Sequence, residues 1–255
     1  MHGDMFDTTL PAGEPELLRA SAFERYLQDL DGEDSVPNAG ISSRISQLNP
    51  TLRDDLLRFE RAGSGSEALE VVAACLRHAT RLTIHLQCDD RVLPLTVFAP
   101  ERLVHCPVPM EEVVFRHLPQ WRVMHLEPAV LRPPGDPERP LVGAAELHHP
   151  IEPLLWQLAM RGQRRELLPE IAGPAVYRTA PGLEIETLPA RGALMAAVRR
   201  LAREPVSLRE LANWPGLDRD RASRLLNALY LLSGLIVSRA HPAAGGERRP
   251  GSGSR

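Results

Sequence analysis

The chain has 255 residues, with 30 basic side chains against 33 acidic ones and a formal charge of −3. At 43% apolar and 25% charged residues it has the composition of a globular protein able to bury a full core, and wholesale disorder is excluded. No apolar run approaches the ~18–20 residues that a membrane span needs, so no membrane partner is expected.

The acidic start lacks the basic-then-apolar plan of a signal peptide. Three cysteines without framework spacing point to reduced thiols. A cytoplasmic protein is therefore expected. All 30 basic residues are Arg, a uniform bias that identifies no site. Proline, at 24 residues, is about twice its usual ~5% share, which predicts short elements separated by stiff turns. Residues 1–40 hold nine acids and two arginines, whereas residues 191–255 hold twelve arginines and five acids. Such asymmetry points to a partner for one end, or to attraction between the two ends.

Residues 1–13 read as a flexible tail. A helix is predicted over about 15–30, with Phe23, Tyr26, Leu27 and Leu30 on one face. An acidic loop follows through Gly40. Asn49-Pro50 reads as N-cap and first turn of a helix over about 50–61 that buries Leu52, Leu56 and Phe59. Gly63 to Ser66 is a break, with Ser66 a cap for a helix over 67–79 that buries Leu69, Val72, Cys75 and Leu76. The period then changes from helical to alternating. Strands are predicted at Leu82–Cys88, Leu93–Val97, Leu103–Cys106 and Trp121–Leu126, as a small antiparallel meander packed on the preceding helices. Cys75 and Cys88 fall on the apolar sides of their elements and read as core cysteines.

Four prolines in the nine residues from Arg132 to Pro140 mark the best boundary. The division expected is an α+β domain over 14–131, a linker over 132–140, a mostly helical domain over 141–240 and a disordered tail over 241–255. His148-His149-Pro150 reads as a turn entering a helix at 152–161 that buries Leu154, Leu155 and Leu158. Arg161, Arg164 and Arg165 form a small basic cluster near its end, where cations are favoured in any case. Trp156 and Trp214 read as core or rim anchors. A strand is expected at Leu183–Thr187.

The segment 191–240 carries the clearest pattern. Leu194, Val198 and Leu201 mark a first helix. Ser207-Leu208-Arg209-Glu210 is a capping box that starts a short second helix. Asp218 caps a third helix over about 219–233, Gly234 occupies the C-terminal left-handed position, and Leu235 to Arg239 reads as a strand. At 100° per residue, Ala222, Leu225, Leu226, Leu229 and Tyr230 face the core. Asp220, Arg224, Asn227 and Leu231 point away from it, with Arg221 beside them.

This order of helix, capped short helix, turn, longer helix, glycine and strand resembles the winged-helix family. The likeness is carried by Ser207 to Ala212, Arg221 to Leu229 and Ser233 to Val237, and covers about fifty residues. It implies that the exposed side of the third helix meets either the groove of duplex DNA or a partner protein. Arg221, Arg224 and Asn227 have the chemistry of base readers, and Arg219, Arg239, Arg248 and Arg249 that of phosphate contacts. Asp218 and Asp220 oppose a polyanion there, and Leu231 suits a protein contact better.

No phosphate loop, paired-cysteine, zinc-protease or serine-nucleophile motif is present. His85, His105 and His125 fall on three predicted strands, with Glu127 on the face of His125. Three imidazoles from adjacent strands would leave zinc an open position for an acidified water, which makes a metal-dependent hydrolase one alternative. The leading expectation has no catalytic residue, metal or cofactor. It is a non-enzymatic regulatory or adaptor protein, with a protein partner meeting Arg219, Arg221, Arg224, Asn227, Leu231 and Arg239. A DNA-binding regulator using the same residues is the other alternative.

Overall fold

The strands expected from alternation form the centre of an antiparallel sheet. β2 (Arg81–Cys88), β3 (Arg91–Phe98) and β4 (Leu103–His105) run as a meander. The two-residue turn after β2 puts Asp89 at φ 53°, a left-handed conformation that its short polar side chain tolerates. β5 (Arg122–Pro128) does not continue the meander beside β4; it returns to pair with β2. The intervening chain buries Val108, Met110, Val114, Phe115, Leu118 and Trp121 in the core. Burial of these side chains against the apolar face delivers the chain to the far edge. Two short strands complete the sheet. β1 (Leu18–Arg19) pairs with the start of β3, and β6 (His148–Pro150) pairs with β4 where a simple turn was expected.

The computed structural model describes residues 17–33, 48, 50–61, 68–137 and 143–239. The expected tails at 1–13 and 241–255, with Arg248 and Arg249, lie outside the described residues. So do the acidic loop at 34–40, the caps at Asn49 and Ser66, and the end of the proline-rich stretch.

Alternation gives the sheet two unlike faces. Leu82, Ile84, Leu86, Leu93, Leu95, Val97, Val104 and Leu126 line the core face and are buried. α2 (Pro50–Arg61), α3 (Ala68–Arg77) and α4 (Ile151–Arg161) contribute to the same core. The other face carries Thr83, His85, Thr96, His105, His125 and Glu127. α1 (Ala20–Glu33) reaches this second face, where Ala20 and Phe23 bury with Val92 in a small separate cluster. Tyr26, expected to bury with Phe23, is 53% exposed, because α1 touches the sheet chiefly through Phe23 and Leu27.

The C-terminal module follows the expected order. α5 (Ala193–Leu201) leads to β8 (Val206–Ser207), α6 (Leu208–Leu211), α7 (Arg219–Leu231) and β9 (Leu235–Ser238). Both arms of the capping box form. The Glu210 amide donates to Ser207 Oγ at 3.3 Å, and the Ser207 amide donates to Glu210 Oε2 at 2.9 Å. The Arg221 amide donates to the Asp218 cap at 2.7 Å.

Two local expectations are corrected. The left-handed residue after α7 is Ser233, at φ 58°, and not Gly234. Gly234 is small for another reason: a Cβ there would lie 2.8 Å from Leu183 Cδ1. The strand also lies earlier than 183–187. β7 (Val176–Thr179) is the centre of the second sheet, between β8 and β9, and residues 185–187 form a helical turn. Buried residues from Leu48 to Leu231 form one contiguous cluster spanning both sides of the proline-rich stretch. α4 joins the two regions, packing on α3 and on α7. Among the described residues, no helix is long and apolar enough to cross a membrane.

Candidate functional site

α7 is buried on two sides, and this changes the part played by the residues that the helical spacing nominated. Asn227 is fully buried. Its Oδ1 accepts from the Leu168 amide and its Nδ2 donates to the Glu166 carbonyl, both at 2.9 Å. Leu231 is 4% exposed and belongs to the core. The Arg224 guanidinium reaches the end of α4, donating to the Gly162 carbonyl at 2.8 Å and to Met160 at 3.3 Å. It thereby satisfies carbonyls that the last turn of α4 leaves open. Its Nε also donates to Asp220 at 2.9 Å. The expectation of an outward face of Arg224, Asn227 and Leu231 is therefore corrected. α4 and the strap after it cover that side; Arg224 and Asn227 bind backbone there, and Leu231 packs in the core.

The same strap, residues 162–172, is tied from other directions. Arg239 is exposed and donates to the Glu170 carbonyl at 2.8 Å. Arg164 forms an ion pair with Glu70 of α3, and Arg77 one with Glu170. Glu70 is 2% exposed. Of the basic cluster expected at the end of α4, Arg164 is thus structural, while Arg165 and Arg161 are exposed. Trp156 is buried as expected, and Trp214 lies beneath the Arg200 guanidinium, 4.2 Å from the ring centre.

What remains open on the module is its other end. A groove of about 830 Å³ runs between the 165–175 segment, α6 and the first turn of α7. Arg165, Arg209 and Arg219 line it together with Glu166, Glu210 and Asp220. Arg219 was nominated from sequence and is exposed here. Arg221, one turn from the cap, is exposed and donates to the Gly216 carbonyl at 2.9 Å. Arg165 belongs to the basic cluster read from the sequence, whereas Arg209 was not nominated. The capping box marks Arg209 as a first-turn residue of α6, but no local pattern brings the 165–175 segment beside it.

The histidines divide into two pairs. Alternation correctly puts His85, His105 and His125 on one face of the first sheet. His85 and His125 are cross-strand partners with ring centres 5.5 Å apart. His85 Nε2 donates to Glu127 Oε1 at 2.8 Å, and Phe23 stacks on the His85 ring at 4.6 Å. His105 lies beyond β3, two strands over and two residues along, about 12 Å away by strand spacing and rise. Among the described residues, no group of three or more His, Cys, Asp or Glu is placed to hold a metal ion. The three strands thus do not bring these histidines to one zinc.

Cys75, Cys88 and Cys106 are free and buried. Burial pushes the Cys75 thiol up to about 12 and the Cys106 thiol up to about 11. Neither is a nucleophile near neutral pH.

Comparison of the chain with protein families, with curated proteins and with solved structures found no significant match.

Proposed function

We propose that this chain is a non-catalytic regulatory or adaptor protein that acts by protein contact through the groove of its C-terminal module. The observation that carries the reading is the charge balance of that groove. Three arginines face three acids, all within one concave surface. A duplex is held mainly by a surplus of cations that releases counterions, whereas a protein surface offers both signs. The side chains with the best chemistry for reading bases, Arg224 and Asn227, are already engaged with backbone carbonyls and amides. The winged-helix resemblance supports the same reading, since modules of that kind also serve as protein-interaction units. The proposed setting is the cytoplasm, in keeping with three free thiols, and the mechanism calls for no cofactor.

The test is capture from an extract of the source cells on immobilised full-length chain, alongside the double variant Arg209→Glu with Arg219→Glu. Both residues are exposed, so the fold is expected to survive, which thermal unfolding checks. The reading expects one or a few proteins to be lost at least about tenfold from the variant, a change of ~1.4 kcal/mol or more. An identical set of captured proteins on both chains would overturn it.

A further inference from the structure

The polar face of the first sheet holds a second imidazole pair that strand alternation alone does not reveal. His105 ends β4 and His148 begins β6, and the register puts them directly opposite each other. Their ring centres are 4.9 Å apart with planes at 61°. His148 Nδ1 lies 2.9 Å from the Ala144 carbonyl oxygen. A carbonyl only accepts, so Nδ1 carries the proton and Nε2 of the neutral ring carries the lone pair. That Nε2 is buried, with no hydrogen-bond partner among the described residues. Orphaned buried acceptors are rare in folded proteins and point to a group that completes them.

Further features fit a metal ion. Ligating histidines characteristically donate their other ring N–H to a backbone carbonyl, which fixes tautomer and aim, and His148 does so. His105 is 8% exposed. Gly143 lies over the pair, and a Cβ there would come within 2.8 Å of His105 Nε2 and 3.4 Å of His148 Cε1. The spacing also agrees. Two imidazoles on one tetrahedral ion, each bound at about 2.0–2.1 Å, have ring centres about 5 Å apart.

We propose that His105 and His148 form a two-imidazole site for a borderline transition-metal ion, with Zn(II) the first candidate. Imidazole nitrogen suits this class of ion. His149 is no third ligand, because it pairs with Val104 and so belongs to the opposite face. The chain thus supplies two ligands, and water or an outside ligand takes the remaining positions. Such a site holds its ion reversibly.

The test is calorimetric titration of the chelator-treated full-length chain with zinc chloride, run beside His148→Ala, His149→Ala and Gly143→Val. The expected result is one equivalent bound in the micromolar range. Binding should weaken at least about tenfold in His148→Ala, as loss of an essential ligand requires, and stay unchanged in His149→Ala. Gly143→Val keeps both imidazoles but crowds them, and should weaken binding as well. Absence of saturable binding, or equal affinity in the parent chain and His148→Ala, would overturn the proposal.

Discussion

Replacing Arg164 with alanine is expected to destabilise the fold by about 3–5 kcal/mol, the usual cost of stranding one member of a buried ion pair. Glu70 is 2% exposed and Arg164 is its charge partner. The same guanidinium donates to the Leu167 carbonyl at 2.8 Å. Its removal therefore strands a carboxylate on α3 and frees the strap at once. Glu70→Gln should cost clearly less, because a neutral amide still accepts from Arg164 and leaves no uncompensated buried anion. Urea unfolding of the two variants checks the ranking. An Arg164→Ala chain within about 0.5 kcal/mol of the parent, the range of ordinary surface changes, would show that the pair is solvated.

Asn227→Ala is expected to cost about 2–4 kcal/mol. It removes two hydrogen bonds, leaves the buried Leu168 amide without an acceptor, and opens a small cavity beside α4. This separates two roles for the same residue. A structural Asn227 lowers the unfolding midpoint, whereas an exposed contact residue would leave stability unchanged and weaken only binding. An unchanged midpoint would return Asn227 to the surface role that helical spacing assigned to it.

Much of the fold was legible where the signal is local. Ile84, Leu86, Leu93 and Leu95 alternate with outward residues, and β2 and β3 formed accordingly. The Ser207–Glu210 box and the Asp218 cap each need only four residues of sequence, and both helices begin there. What was not legible depends on distant partners. β6 is three residues and β7 four, too short to show a period, and pairing with β4, β8 and β9 defines them. Strand parity put three histidines on one face. It carries no strand order, however, so it could not show that β3 separates His85 from His105.

The outer side of α7 is the instructive failure. Ser223, Asn227 and Leu231 recur every four residues, which is the spacing of a second buried stripe. Two of the three are polar, and their side read as solvated. Asn227 buries because a segment some sixty residues earlier in the chain supplies its hydrogen bonds. Leu231 was the available signal: an apolar residue in line with Asn227 meant that something covered that face.

The most direct measurement is anisotropy of a labelled random DNA duplex titrated with the full-length chain, at low and at near-physiological salt. A groove with three arginines set against three acids predicts weak binding at low salt, with no steep salt dependence and no change in Arg209→Glu with Arg219→Glu. Micromolar or tighter binding that falls steeply with salt, and is lost in that variant, would contradict the protein-contact account. It would make the start of α7 a nucleic-acid surface.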